Sequence, residues 1–417
     1  MTPHAVRLDI ADATTTVMSA DQAITDWTAR YFGPWWNATP VAPDHITAGP
    51  AVIAGVDSDR YQHMALDVTQ APHTSVEYAK AQHLITRDEA TGVIRALCPQ
   101  HQLCYRSEPG RGQLHIVGRD TESVATATAR LARETVRGSL LRDGWAVLHA
   151  SAVVGQDGGT ILTFGHKGAG KTTTALALAV HQGLRLLAND RVFVRPRTAD
   201  EGVDVLPWPS AAAIGLGLLS ALNWFDIAQE RLRGGEQLHP TQHQKVTAAL
   251  LAGQRTPLWD HGKELKAQVF PDQFERWFSL PLATGGKAAA LLFPRIEADA
   301  TPAMEDSLRS LGDDDFMSGR TEDRYPDVFA LTQVDGGGTE KARQEVAQRL
   351  GALPHHSVVL GYDMAANVDL LAEVVGLPAG AGRQEAGRRE RAAGPPAPLS
   401  QVGHGTVPAT GGNRSRA

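Results

Sequence analysis

Cysteine is scarce: the chain of 417 residues holds two, Cys98 and Cys104. Two are too few for a disulfide framework, and their spacing in CPQHQLC is not the C-x2-C of a structural zinc site. His101 and His115 can be added on paper, yet closed zinc sites need four tetrahedral donors at recurrent spacings. The pair reads as free thiols of a reducing compartment. A basic surplus is missing as well. With 40 Lys and Arg against 46 Asp and Glu the net charge is −6, the opposite of what phosphate-driven nucleic-acid binding requires. Long apolar runs are missing too: no window approaches the roughly 18–20 residues that span a bilayer. The opening MTPHAVRLDIADATTTVMSA has neither the cationic nor the apolar region of a secretory signal. The expectation is a cytoplasmic protein with no nucleic-acid partner and no membrane partner.

What is present is ordinary globular material, 42% hydrophobic and 21% charged, enough for more than one core. Residues 1–120 mix short β-type runs (51–55, 114–118) with polar turns and Trp27, Trp35 and Trp36, and read as an accessory α+β region. Its histidines, His45, His63, His73, His83, His101 and His115, show no metal-ligand periodicity and read as surface or core residues. A helix is expected from Thr121 to about Arg137, where Val124, Ala127, Leu131 and Ala132 recur, with Gly138 as its stop.

Residues 121–375 carry the α/β pattern. The run 145–154 and the run 160–164 read as strands around a Gln-Asp-Gly-Gly turn, 171–182 as a helix closed by Gly183, and 184–188 as a further strand. Helical stretches are expected at 219–232 and 241–252, a strand at 288–293, a solvated loop at Asp313 to Asp315, a last strand at 356–361 and a last helix at 365–375. From 376 to 417 the composition turns Gly-, Pro- and Arg-rich. It offers too few large apolar residues to offset ordering entropy, so a disordered tail is expected.

One string carries chemistry. Gly165-His-Lys-Gly-Ala-Gly-Lys-Thr172 satisfies G-x-x-x-x-G-K-[ST] between an apolar strand and an Ala/Leu-rich helix, the context that a phosphate-binding P-loop (Walker A) demands. The residues expected to cradle phosphate are Gly165, Lys167, Gly168, Ala169, Gly170, Lys171, Thr172 and Thr173. Glycines let backbone N–H groups turn inward, and the helix N-terminus adds positive potential. Lys171 places a point charge on the β and γ phosphates, and Thr172 offers a hydroxyl to Mg²⁺. A structural glycine loop would not account for Lys171. Asp190, soon after the strand that follows, is the candidate second Mg²⁺ ligand, because ligands sit at the carboxyl ends of parallel strands. The plain alternative for Asp190 is a turn aspartate in Asn-Asp-Arg.

LHASAV, GHKGAGKTTTALALA and GLRLLANDRVFV together resemble the catalytic core of HPr kinase/phosphorylase and its relatives, which include kinases encoded beside peptide natural-product clusters. The likeness is specific over about 121–195 and weaker over LPHHSVVLGYD. It implies a P-loop kinase of the type shared with phosphoenolpyruvate carboxykinase, using ATP or another nucleoside triphosphate with Mg²⁺. The implied acceptor is a hydroxyl on a small molecule, peptide or carrier protein, and a dimeric or hexameric homo-oligomer is compatible with it. His149 matches the histidine on the strand before the loop. Asn189-Asp190 falls where the family usually has two adjacent aspartates. An amide cannot take a proton near neutral pH, so either Asp190 or His149 serves as base, or transfer is impaired and the chain is a nucleotide-binding regulatory module. The catalytic set is thus Lys171, Asp190, His149 and Asn189. Lys263, Lys266 and Arg295 are weaker candidates for anion contacts.

Overall fold

In His4–Ile10 the buried Val6, Leu8 and Ile10 alternate with the partly exposed Arg7 and Asp9, the period-two pattern of a strand with one wet face. The same logic repeats along the first third of the chain. β1 (His4–Ile10) and β2 (Ala13–Ser19) form a hairpin, followed by α1 (Gln22–Trp36), β3 (Thr39–Val41), β4 (Ala51–Val56) and α2 (Ser58–Gln70). A meander of β5 (Thr74–Tyr78), β6 (Ala81–Arg87), β7 (Ile94–Cys98), β8 (Leu103–Glu108) and β9 (Gln113–Gly118) completes a nine-stranded sheet in the order β3-β1-β2-β4-β9-β8-β7-β6-β5. The computed structural model describes residues 3–42, 49–306, 309–317, 326–334 and 336–377. His45 and the tail beyond Leu377 lie outside the described residues. The first two residues assigned to the tail, Gly376 and Leu377, instead close the last helix, donating to Glu373 O at 3.1 Å and Ala372 O at 2.8 Å.

Helix α3 (Thr121–Arg142) starts at Asp120, whose carboxylate accepts from Ser123 N at 2.8 Å. It does not stop at Gly138. A Cβ there would lie 2.2 Å from Leu331 O, so this glycine serves a close backbone approach rather than a C-cap. The helix packs on α1, β2, β4 and β9, and its middle is buried all round. Arg133, Glu134 and Arg137 are buried within it and paired, Arg137 Nε to Glu134 Oε2 at 3.0 Å and Arg133 Nε to Glu134 Oε1 at 3.5 Å.

A second mixed sheet follows. Its first strands are β10 (Ala146–Leu148), β11 (Ser151–Val154) and β12 (Gly159–Thr163); then come α4 (Lys171–Gln182), β13 (Arg185–Ala188), β14 (Val192–Pro196) and β15 (Val203–Pro207). An excursion carries β16 (Ala212–Ile214), α5 (Leu216–Ala221), α6 (Phe225–Arg233), α7 (Gln244–Leu251), β17 (Leu258–Asp260), β18 (Lys263–Leu265), β19 (Ala267–Val269) and α8 (Pro271–Phe278). The chain returns through β20 (Gly286–Ile296), β21 (Ala303–Glu305), α9 (Glu340–Gly351), β22 (His355–Leu360) and α10 (Met364–Val374). The order is β10-β14-β15-β20-β12-β11-β13, with β22 beside β20 and β21 beside β22. β12 is parallel to β20, β20 to β22, and β11 is antiparallel to both β12 and β13. Four carboxyl ends, those of β12, β13, β20 and β22, therefore share one edge.

The architecture is α/β, and besides the end of α3 three places differ from the periodicity. The run 145–154 breaks at His149 and Ala150 into two strands. The helix expected over 219–232 splits into α5 and α6 around Asn223, whose φ is +59°. Asp313–Asp315 is a 3₁₀ turn in which Asp313 and Asp314 are exposed, as a solvated loop would have them, and Asp315 is buried, 4% exposed. The two sheets share a continuous core, and Trp36 Nε1 donates to Pro207 O at 2.9 Å across them. Among the described residues no helix is long and apolar enough to cross a membrane.

Candidate functional site

The loop 165–170 leaves the end of β12 and enters α4. Gly165, Gly168 and Gly170 take φ of +146°, +91° and +103°, a region that side chains with a Cβ rarely adopt. Gly170 is the N-cap of α4 and provides no side-chain cap, so the helix opens with N–H groups directed at whatever lies before it. His166, Lys167 and Gly168 are exposed at the apex, while Ala169, Lys171, Thr172 and Thr173 are half-buried. Ala169 N closes the turn on His166 O at 3.1 Å.

Lys171 Nζ donates to Gly165 O at 2.7 Å and approaches His166 O at 3.5 Å, which fixes the ammonium inside the curl of the loop. Burial pushes its pKa below the ordinary lysine value. Asp190 and Asp315 oppose that shift, and Arg309 and Arg191 reinforce it. The field around the lysine thus comes from two carboxylates and two guanidinium groups.

Asn189 is the joint of the site. It is 5% exposed, and its carbonyl accepts from Ser151 Oγ at 2.6 Å and from Thr172 Oγ1 at 3.2 Å. Its Oδ1 accepts from Ser210 Oγ at 3.3 Å. These bonds tie the end of β13 to the start of β11, to α4 and to the excursion. They also place Asp190 beside the first turn of α4, with its carboxylate half exposed and paired to Arg191 at 3.3 Å. Because Thr172 spends its proton on Asn189 O, its oxygen lone pairs are left to accept. A hydroxyl oxygen and a half-exposed carboxylate are hard oxygen donors of the kind that magnesium takes. The residues fit that ion. The uncapped helix start and the enclosed ammonium fit a chain of phosphates.

His149 stands at the break between β10 and β11, half-buried, its backbone N donating to Asp315 O at 2.8 Å. Asp315 accepts Arg309 Nη2 at 2.6 Å and Gly312 N at 3.0 Å, and Phe316 bridges to Leu148. The segment 309–317 thus lies along β10 and delivers Arg309 and Asp315 to the field of Lys171. Neither residue carries a local signal in the sequence, because their nearness to Lys171 is tertiary and the Asp-Asp-Asp run looks solvated. Of the weaker candidates, Lys266 pairs with Glu264 at 3.2 Å and Arg295 pairs with Glu297 and Glu305. Lys263 is exposed at the start of β18. Cys98 and Cys104 are buried free thiols, the Cys104 thiol pushed up to about 12 by burial. His101 and His115 join no group of three or more His, Cys, Asp or Glu able to hold a metal among the described residues.

Compared with known proteins, the chain matches no family model and no curated sequence.

Proposed function

We propose that the chain is an ATP-dependent phosphotransferase that moves the γ-phosphoryl group to a hydroxyl of a small molecule, peptide or carrier protein. The observation that carries this reading is the junction at Asn189, which brings the hydroxyl of Thr172 and the carboxylate of Asp190 to the mouth of the glycine loop that encloses Lys171. The resemblance of LHASAV, GHKGAGKTTTALALA and GLRLLANDRVFV to HPr kinase/phosphorylase supports it. In this reading the loop N–H groups and Lys171 hold the phosphate chain, and Thr172 and Asp190 hold Mg²⁺. Held there, magnesium would neutralise charge on the phosphate oxygens. The acceptor oxygen forms a bond to the γ phosphorus, the bond to the ADP oxygen breaks, and the hydroxyl proton passes to Asp190 or to His149. Arg191 and Arg309 supply further positive charge where the transferred group develops negative charge. Positioning and charge carry most of this chemistry, so Asn189 in place of a carboxylate does not forbid it.

A second reading, a nucleotide-binding regulatory module, is favoured by the burial of Asn189 and its three hydroxyl partners, which make it a joint rather than a reactive group. Phosphoryl transfer from γ-labelled ATP to serine-containing peptides and small alcohols separates the two. The kinase reading expects labelled acceptor with the wild type and loss of label with Lys171→Ala. Labelled acceptor formed equally by Lys171→Ala contradicts it. Tight MgATP binding with no labelled acceptor, restored by Asn189→Asp, favours the module.

A further inference from the structure

At the shared edge of the second sheet, the order β22-β20-β12-β11-β13 sets a direction. Asp190 follows β13, on one flank of the glycine loop. β20 and β22 lie on the other. The loop touches β20 closely: a Cβ on Gly170 would lie 2.7 Å from Ile296 Cδ1. β20 in turn is bound to β22 at its end, Glu297 N donating to Leu360 O at 2.9 Å. Helix α10, which follows β22, packs on α4. Of the three residues between β22 and α10, the middle one is Tyr362, 77% exposed, the most exposed of the large hydrophobic side chains among the described residues.

Its backbone is not loose. The peptide at Gly361 is gripped from both sides by the buried Asn367, Gly361 N donating to Asn367 Oδ1 at 3.0 Å and Asn367 Nδ2 donating to Gly361 O at 2.8 Å. Gly361 also sits against Ala300, where a Cβ would come within 2.2 Å of the carbonyl oxygen. Next, Asp363 caps α10 through Ala365 N and Ala366 N. An aromatic ring left in water on a backbone fixed at both neighbours costs little entropy to use as a contact surface.

We propose that Tyr362 is the platform on which the base of the nucleotide stacks. The inference rests on the phosphate-loop reading above. A triphosphate lying in the loop with its γ end toward Thr172 and Asp190 directs its nucleoside to the opposite flank, where β20 and β22 end. Stacking uses the π-face that every base presents and demands no particular edge pattern. The platform therefore accepts a purine nucleoside triphosphate without strict choice between adenine and guanine.

Titration calorimetry with MgATP, MgGTP and magnesium tripolyphosphate, on the full chain and on Tyr362→Ala and Tyr362→Phe, tests this. Tyr362 is exposed, so neither variant disturbs the core; melting curves check that. The expected result is roughly tenfold or greater weakening of both nucleotides in Tyr362→Ala, near wild-type affinity in Tyr362→Phe, and tripolyphosphate affinity equal in all three proteins. Unchanged nucleotide affinity in Tyr362→Ala overturns the platform while leaving the phosphate loop standing. Equal losses for nucleotide and tripolyphosphate also overturn it, since the tyrosine would then act on the loop. Failure of the wild type to bind tripolyphosphate or nucleotide at all overturns the phosphate-loop reading and the platform with it.

Discussion

Lys171 concentrates the chemistry of the site into one titration. Its ammonium is half-buried and held by Gly165 O, and burial lowers its pKa from 10.5, against the opposing carboxylates of Asp190 and Asp315. In the folded chain the proton leaves at lower pH than it does from unfolded chain. Phosphate affinity is therefore complete below the depressed value and falls as pH rises through it, while the cost of burying the charge disappears in the same window and stability rises. Measured MgATP affinity should decline at alkaline pH before an ordinary lysine deprotonates, and Lys171→Arg should flatten the decline, because guanidinium keeps its proton throughout. An affinity constant to pH 10.5 in the wild type would contradict this account. The glycine loop, Lys171, Thr172 and Asp190 were legible in the sequence because they form contiguous strings whose residue types have few other uses. Arg309 and Asp315 were not, since what matters about them is the backbone bond from His149 N to Asp315 O, and no local pattern reports a contact so distant along the chain.

At the scale of elements, strand and helix types followed from period, and their ends followed from packing. β12, α4 and β13 begin and end within a residue or two of where their apolar runs do. α3 does not, because Gly138 looks like a stop in isolation and is in fact the place where the Leu331 carbonyl passes the helix. The same helix hides an ionic cluster that periodicity could not reveal. Glu134 lies between Arg137 and Arg133, and Arg133 reaches Pro209 O at 3.0 Å and lies over the Trp208 ring at 4.9 Å. The next residue, Ser210, holds the Asn189 side chain. α3 therefore supports the site through Arg133. Removing the carboxylate with Glu134→Ala takes away the charge that pairs with both buried guanidinium groups, and the expected loss is about 3–5 kcal/mol in denaturant unfolding. A loss within the range of an ordinary surface substitution, about 0.5 kcal/mol, would show that the cluster is dispensable.

For the whole molecule, the question is what joins the two sheets. α1 carries Trp27, Arg30, Tyr31 and Trp36 into the second half of the chain. Arg30 pairs with Asp272 at 3.0 Å and lies 3.7 Å from the centre of the Phe270 ring. His239 is buried at this joint, its ring 4.8 Å from Phe270 and 5.9 Å from Tyr31, with Nδ1 2.8 Å from Thr241 Oγ1. Burial, helped by Arg130, Arg30 and Arg133, lowers its pKa from 6.5 to about 3. Between those values the unfolded chain binds a proton that the folded chain refuses. The contribution is present above pH 6.5 and is lost as pH falls toward about 3, with a slope of about 1.4 kcal/mol per pH unit for one such group. Thermal or urea unfolding between pH 7 and 4 should show that decline, and His239→Asn, which keeps an acceptor but has no titrating ring, should reduce the slope. Equal slopes in the two proteins would remove His239 from the acid response. None of this joint was legible in the sequence: the tryptophans were conspicuous, but their partners lie in the excursion between β15 and β20, which carries no readable motif.

Whether Gly165 to Thr172 holds the phosphates of a nucleoside triphosphate is decided by equilibrium binding of MgATP to the wild type and to Lys171→Ala at neutral pH. Saturable one-site binding by the wild type is expected, with a loss of roughly a hundredfold or more when the Lys171 ammonium is removed, the scale of about 3 kcal/mol for a charge-assisted contact. Equal affinity in the two proteins, or no binding by the wild type, would contradict it.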